Sequence, residues 1–171
     1  SFADLPQGAV VGTSSLRRKA QVLAARPDLK VITFRGNVQS RLRKLAEGQA
    51  DATLLAAAGL NRLGMIDKAA GIIGIDEMLP AAGQGIIGVT LNVDAPDWLV
   101  AACAATDDRN ARLAAVAERA FLRRLDGSCR TAIAAHFHIT EDGAEMAGEV
   151  LTDEGDRRWR AEGALTRYPS E

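Results

Sequence analysis

The sequence predicts an α/β protein in which a parallel-rich sheet is followed by a small α+β unit, with one helix on a three-stranded antiparallel sheet. Two observations support this fold class. Strand-like and helix-like runs alternate through the first third of the 171 residues, a pattern typical of parallel strands joined by right-handed helical crossovers. The last third has one long helical run and then three strand-like runs separated by short turn sequences, which indicates an antiparallel sheet.

The alternating part is predicted to hold three strands and three helices. Hydroxyl residues at 13–15 are N-cap candidates for the first helix, Pro27 closes that helix, and Gly48 stops the second. The predicted elements are strands at 9–11, 30–34 and 52–56, and helices at 16–25, 38–47 and 57–63. Ligands of such sheets bind beyond the carboxyl ends of the strands, where the helices begin.

The segment 79–85 interrupts this alternation. Two glycines flank Gln84, a composition typical of a tight segment where the backbone approaches a ligand or another strand. After it we predict a strand at 86–91, a helix at 96–105 and a longer helix that Thr106, Asp107 or Asp108 caps and that runs to about residue 125. The remaining predicted elements are strands at 132–139, 146–151 and 158–164, with turns at 141–143 and 153–155.

Basic residues are concentrated in one stretch. Between Gly12 and Lys44 the chain has nine basic residues and one acid, so this stretch carries +8 while the remainder of the chain carries −9. Such an excess implies an anionic partner in one place. No Walker motif and no GxGxxG after a strand is present, and aromatic residues make up 4%, which disfavours nucleotide phosphates and nucleic acid as partners.

The arginines of this stretch fall mostly at strand-to-helix junctions. Arginine binds a carboxylate through two parallel hydrogen bonds, and helix N-termini add free N–H groups. Helical periodicity places Arg41 beside the apolar stripe of the second helix, whereas Arg43 and Lys44 are predicted to be solvated. The alternative is a set of surface ion pairs, which the scarcity of acids in the stretch disfavours. The candidates are Arg17, Arg18, Arg35, Arg41 and, beyond the stretch, Arg62.

Of the two cysteines, Cys129 is the candidate for chemistry. Its neighbours Arg123, Arg124 and Arg130 are expected to lower its pKa and favour the thiolate, which suits a nucleophile or a covalent attachment point. An inert loop cysteine is the open alternative, and Cys103 in an alanine-rich run reads as a small buried residue.

Three further expectations come from the sequence. His136 and His138 share a face of one predicted strand, but no further residues have ligand spacing, so no metal site is expected. Nothing approaches the run of about 18 apolar residues that crosses a membrane. No secretory leader is recognisable, so a cytoplasmic protein with reduced cysteines is expected.

Five motifs occur in order over most of the chain. They are GTSSLRR at 12–18, RGNV at 35–38 followed by Arg41, AGLNRLG at 58–64, LPAAGQG at 79–85 and GSC at 127–129. Together they resemble the porphobilinogen deaminase (hydroxymethylbilane synthase) family. The resemblance implies a transferase that joins four porphobilinogen molecules head to tail into hydroxymethylbilane, releasing ammonia at each step, in tetrapyrrole biosynthesis.

The resemblance also implies a cofactor and site residues. Growth would start on a dipyrromethane held by a thioether to Cys129, and arginines would bind the acetate and propionate groups of cofactor and substrate. The implied cofactor-binding residues are Cys129, Ser15, Arg17, Arg18, Arg35 and Gly36. The implied substrate-binding residues are Arg41, Arg62, Thr13 and Gln84.

The architecture implied by the resemblance has three domains, of which the first two resemble the lobes of periplasmic binding proteins. Residues 1–80 would belong to the second domain, 81–105 to the crossover and a remnant of the first, and 106–171 to the third, cofactor-cysteine domain. The family's catalytic aspartate matches no residue of this chain, so the 171 residues alone are expected to be inactive and the full-length protein monomeric. The alternative function is a non-catalytic module that binds a small anion or solute.

Overall fold

The computed structural model describes residues 1–127 and 131–166. Strands and helices alternate in the first part of the chain, and two helices followed by three strands make up the second part. The predicted mixed α/β fold class is therefore confirmed. The strands are β1 (Val10–Gly12), β2 (Lys30–Ile32), β3 (Ala52–Thr53), β4 (Ile133–Thr140), β5 (Gly143–Leu151) and β6 (Arg158–Leu165). The helices are α1 (Leu16–Ala25), α2 (Val38–Ala46), α3 (Ala57–Arg62), α4 (Asp97–Ala104) and α5 (Arg109–Arg124), with 3₁₀ turns at Phe2–Asp4 and Ile66–Lys68.

The first sheet is parallel, with the strand order β2-β1-β3. A helix follows each strand, so the N-termini of α1, α2 and α3 lie at the carboxyl edge of the sheet. Side-chain hydrogen bonds cap the first two of these helices, and the cap of α1 is one of the predicted hydroxyl residues. The Ser15 hydroxyl accepts a hydrogen bond from the Arg18 N–H at 3.3 Å, and the Asn37 side chain accepts one from the Ser40 N–H at 2.8 Å.

The core of this first unit is small. Its buried apolar residues pack between the central strand, one side of α1 and the N-terminal turn, and they are Phe2, Ala9, Val11, Val22 and Leu29. The end of β1 approaches another segment closely, because a Cβ on Gly12 would lie 2.5 Å from the Phe34 ring. Glycine is therefore required at this point, where the strand passes into the turn that precedes α1.

The second sheet is antiparallel, with the order β4-β5-β6. Helix α5 packs on one face of it, because a Cβ on Gly148 of β5 would lie 2.6 Å from the ring of Phe121 on α5. Asp108 caps α5 by accepting a hydrogen bond from the Ala111 N–H at 2.9 Å, as predicted. The single helix and three strands confirm the predicted α+β unit.

The two units contact each other through α1 and the hairpin between β5 and β6. Ala20 on α1 forms a buried apolar cluster with Ala132 and Leu151. Gly155 in the hairpin turn lies against the α1 backbone, and a Cβ there would lie 2.3 Å from the Ala20 carbonyl oxygen. The segment after residue 79 also joins the second sheet, since the Ala135 N–H donates to the Pro80 carbonyl at 3.1 Å.

Replacing Gly155 with alanine should therefore loosen this contact. The residue has φ +71°, where a side chain costs about 1–2 kcal/mol, and the new Cβ would meet helix backbone, where overpacking costs about 1–3 kcal/mol. We expect the full-length G155A variant to lose about 2–5 kcal/mol of unfolding free energy in urea titrations. Gly163→Ala is the matched control, because a Cβ at Gly163 meets nothing within 4 Å; equal stabilities of the two variants would contradict the packing described.

The predicted strand at 86–91 is wrong. These residues form neither helix nor strand, and Ile87, Val89 and Val93 are 79%, 62% and 96% exposed. Alternating apolar residues favour a strand only where a neighbouring strand completes the hydrogen-bond ladder, and no strand in the described part of the chain lies beside this segment.

The predicted strands at 30–34 and 52–56 are shorter than expected. Hydrogen bonds from Thr13 N–H to the Ile32 carbonyl and from Phe34 N–H to the Thr13 carbonyl nevertheless continue the ladder beyond β2.

Candidate anion-binding site

A cleft of about 400 Å³ lies where the two units meet. One wall is the first turn of α1, a second wall is the segment 81–84, and a third comes from α5 and β4 of the second unit. Its lining residues are Ser15, Arg17, Arg18, Ala81, Ala82, Gln84, Leu122, Thr131 and Ile133. The cleft thus brings together four of the residues that the sequence selected, Ser15, Arg17, Arg18 and Gln84, and its described lining contains no acidic side chain.

The turn before α1 fixes the direction of this helix and of its arginines. The Thr13 hydroxyl is buried and accepts a hydrogen bond from the Ser15 N–H at 3.2 Å. The Ser15 hydroxyl then caps α1 through the Arg18 N–H. Thr13 therefore shapes the turn from within, whereas Ser15 lies on the cleft wall. Because both arginines are in the first turn, the partial positive charge of the helix N-terminus adds to theirs.

Arg17 is buried although it is charged. Only 7% of it is exposed, and its guanidinium donates to the Leu79 carbonyl and, at 3.4 Å, to the Gln84 side-chain oxygen. Burial first, and then the charge of Arg18, lower the pKa of Arg17 to about 10, while Glu149 opposes this shift. The side chain is still a cation at neutral pH, and it tethers the segment 79–84 to α1.

Arg18 turns toward the parallel sheet. It donates from Nη1 to the carbonyl of Leu54, just after β3, at 2.8 Å. Burial, and then the neighbouring charge of Arg41, lower the pKa of Arg18. Arg41 in turn donates from Nε to the Gly36 carbonyl at 3.0 Å. An anion bound at this edge would offset the charge that Arg41 places beside Arg18.

Gly36 contributes conformation rather than a side chain. Its φ is +133°, and a Cβ there would lie 2.1 Å from the Ser40 Oγ. Only glycine fits this turn, which carries the chain from the end of β2 into α2 and places its carbonyl within reach of Arg41.

The remaining predicted cations lie outside the cleft lining. Arg35 and Arg62 are exposed, the first beyond β2 and the second at the end of α3. Arg43 is exposed on α2, with its Nε 3.7 Å from a Glu47 carboxylate oxygen, in agreement with the prediction of a solvated residue. Lys44 is half-buried, less exposed than Arg43. Its Nζ donates to the Arg35 carbonyl at 2.9 Å and lies 5.6 Å from the centroid of the Phe34 ring.

Cys129, the predicted attachment point, lies outside the described residues. Its described neighbours in sequence are Gly127 and Thr131, and Thr131 lines the cleft. Cys103 is half-buried on α4 and is not among the residues that line the cleft.

The two histidines lie in a different cavity. His136 and His138 stack with ring centroids 5.6 Å apart, and both line a cavity of about 480 Å³ between the second sheet and residues 75–79. His138 pairs with Glu145 at 3.3 Å. In residues 1–127 and 131–166, no group of three or more His, Cys, Asp or Glu side chains is arranged to hold a metal ion.

Sequence reasoning missed three buried polar residues. Gln21 on α1 donates to the Leu79 carbonyl at 3.1 Å. Glu118 on α5 accepts two backbone hydrogen bonds, and Glu149 on β5 pairs with Arg158 at 2.7 Å. Each contacts a residue of another segment or strand, so the pattern within its own element does not mark it. The buried face of α1 accordingly contains Arg17 and Gln21 beside Ala20 and Val22.

The arrangement can hold carboxylates. It offers guanidinium donors, a serine hydroxyl and a helix N-terminus in one cleft whose described lining contains no carboxylate to compete, and such charge-assisted bonds are the stronger class of hydrogen bond. The same lining offers no acidic residue for proton transfer. The described part of the cleft is therefore suited to binding and orienting an anion.

No helix in the described ranges combines the length and apolar character needed to cross a bilayer. Two family models match the chain. The model described as porphobilinogen deaminase, dipyromethane cofactor binding domain, matches residues 1–99. The model described as porphobilinogen deaminase, C-terminal domain, matches residues 112–167.

Curated relatives agree with these models. The porphobilinogen deaminase of Paracoccus denitrificans is 53% identical over 163 residues, which are 95% of this chain and 51% of the relative. That of Nitrobacter winogradskyi is 52% identical over 155 residues, 91% of this chain and 49% of the relative. A chloroplastic form from Oryza sativa subsp. japonica is 50% identical over 143 residues, 84% and 40% of the two chains. The chain thus spans about half the length of the curated relatives it matches.

Proposed function

Because this chain belongs to the porphobilinogen deaminase family, we propose that the full-length protein joins four porphobilinogen molecules head to tail into hydroxymethylbilane, with release of one ammonia per condensation. It is a transferase of tetrapyrrole biosynthesis. Relatives are about twice as long as this chain, so activity is to be measured on the full-length protein.

The observation that carries this proposal is the cationic cleft. Each pyrrole of the substrate and product carries one acetate and one propionate group, so a growing chain is a polycarboxylate. Arg17 and Arg18 are fixed beside each other on α1 by backbone carbonyls that they bind. Their donors are therefore oriented before a carboxylate arrives, which lowers the entropic cost of binding. A volume of about 400 Å³ lies within the range of small-molecule clefts.

The cleft residues fit a dipyrromethane, the cofactor that the description of the matching family domain names. Arg17, Arg18 and Ser15 would hold its carboxylates, and Cys129 would hold it by a thioether. When bound, the dipyrromethane supplies the pyrrole position on which the product chain is built. Thr131 supports the assignment to Cys129, because two residues of chain span at most about 7 Å and Thr131 lines the cleft. Cys103 has no such connection.

Other residues take supporting roles in the proposal. Three arginines that do not line the cleft would bind the carboxylates that extend out of it as the product grows, and they are Arg35, Arg41 and Arg62. Gly36 and Thr13 would keep the two turns in shape through the contacts described above, and Gln84 would hold Arg17 in its orientation.

We further propose the division 1–80, 81–105 and 106–171 for the second domain, the crossover with part of the first, and the cofactor-cysteine domain. One matching family model ends at residue 99 and the other begins at residue 112. The proposed boundary between residues 105 and 106 falls in the interval between them. No aspartate of this chain is assigned as the catalytic acid or base, and a cytoplasmic monomer is the state we propose for the full-length protein.

The test is turnover of porphobilinogen by the full-length protein. We expect hydroxymethylbilane to form and one ammonia to appear for each porphobilinogen consumed. The second candidate, a non-catalytic binding module, is favoured by the lack of acidic side chains in the described cleft lining. Saturable binding of porphobilinogen without release of ammonia would establish that module and contradict the transferase.

A further inference from the structure

Glu118 is a buried carboxylate whose two oxygens bind different segments. Only 4% of the residue is exposed. Oε2 accepts a hydrogen bond from the Gly83 N–H at 2.6 Å, and Oε1 accepts one from the Phe137 N–H at 2.8 Å. The Nδ1 atom of His136 lies 3.9 Å from Oε1. One side chain on α5 thereby ties the segment 79–85 to the second sheet.

We propose that Glu118 is a positioning residue for the arginine cleft, acting through the segment 79–85; this inference rests on the proposed function of that cleft. The segment is held from two sides. Arg17 and Gln21 on α1 bind the Leu79 carbonyl, and Glu118 on α5 binds the Gly83 N–H.

The segment needs such external support because its own sequence does not fix its shape. Gly83 and Gly85 have φ of +76° and +85°, and a Cβ on either would meet nothing within 4 Å, so neither glycine is packed in place. Glycines also lose more conformational freedom on ordering than other residues. Among its local backbone bonds are those from the Gln84 N–H to the Ala81 carbonyl at 2.9 Å and from the Ile86 N–H to the Gly83 carbonyl at 3.2 Å.

Gln84 transmits the effect to the cleft. Its side-chain oxygen accepts hydrogen bonds from Arg17 Nη2 and from the Ala81 N–H, both at 3.4 Å. Gln84 directly follows the glycine that Glu118 holds, so a shift of Gly83 moves the acceptor that orients the Arg17 guanidinium. Helix α5 ends at Arg124, which is five residues before Cys129 in the sequence. Glu118 thus connects the cysteine-bearing unit to the arginine that faces it.

Glu118→Gln and Glu145→Gln in the full-length protein form the matched test. Glutamine keeps the shape of Glu118, but its N–H₂ group is a donor. It would face either the Gly83 N–H or the Phe137 N–H, which would then lose its acceptor. Glu145 is an exposed carboxylate on β5 that does not line the cleft. For E118Q we expect amide exchange of residues 81–86 to rise about tenfold and kcat/KM for porphobilinogen to fall about tenfold, with the Tm a few degrees below that of wild type because one buried N–H loses its acceptor. For E145Q we expect neither change.

Each outcome decides the matter. Unchanged exchange at 81–86 in E118Q overturns the proposed hold on the segment, and faster exchange with wild-type kinetics overturns the positioning role. Glu118→Asp provides a second variant, since it keeps the charge but cannot reach both N–H groups. Unfolding of both variants would assign Glu118 to the stability of the fold and overturn the inference. A wild-type protein without turnover contradicts the proposed function, while the exchange measurement still reports on Glu118.

Discussion

Arg17→Met should reduce the turnover of porphobilinogen by the full-length protein by about 10²-fold or more. A reactant that is misplaced by about 1 Å can react that much more slowly, because the rate depends on its orientation. Methionine keeps the volume of the aliphatic stem and removes every donor. The cleft would lose one of its two fixed guanidinium groups, and Gln84 would lose the donor that orients it. Arg17→Lys should recover little, because one ammonium cannot bond the Leu79 carbonyl, Gln84 and a carboxylate in the fork geometry of arginine.

The fold should survive this substitution. Gln21 still donates to the Leu79 carbonyl at 3.1 Å, so that buried acceptor keeps a partner. Removal of a buried cation also removes its desolvation cost, which is the first cause of the lowered pKa of Arg17. The matched control is Arg43→Met on the exposed face of α2. Equal turnover by R17M and R43M, both with wild-type Tm, would remove Arg17 from the binding site.

Cys129→Ser should abolish turnover altogether. A serine hydroxyl is far less nucleophilic than a thiolate at neutral pH and forms no thioether, so the protein would lack the covalent group on which the product is built. Activity comparable to wild type in C129S would contradict a covalent role for this thiol. Cys103→Ser is the control, because Cys103 lies on α4 away from the cleft lining, and we expect its turnover to match that of wild type.

Local signals in the sequence predicted much of the fold. The caps at Ser15, Asn37 and Asp108 are short-range hydrogen bonds between residues three apart, so sequence alone places the starts of these helices well. The antiparallel strands follow from alternation and turn residues. The segment 86–91 shows the limit of such reasoning, because alternation specifies which residues share a face but not whether a neighbouring strand is present.

The candidate site was predictable only in part. The charge excess pointed to the arginines as a set, yet periodicity did not select Arg17 for the buried face of α1, where it lies beside Gln21. That burial results from packing against the second unit and the segment 79–84, which are distant in sequence. Glu118 was missed for the same reason, because its partner Gly83 is distant in sequence. Glu149 was missed because its partner Arg158 lies on the neighbouring strand.

In our proposal, a polycarboxylate is attached to the protein through the sulfur of Cys129 and is bound by the arginine cleft. The intact mass of the full-length protein tests this most directly. We predict that wild type, purified under denaturing conditions, is heavier than its sequence by two linked pyrrole units, that C129S has the mass of its sequence alone, and that R17M is only partly loaded. A wild-type protein that turns over porphobilinogen while its mass equals that of the unmodified chain would contradict the proposal.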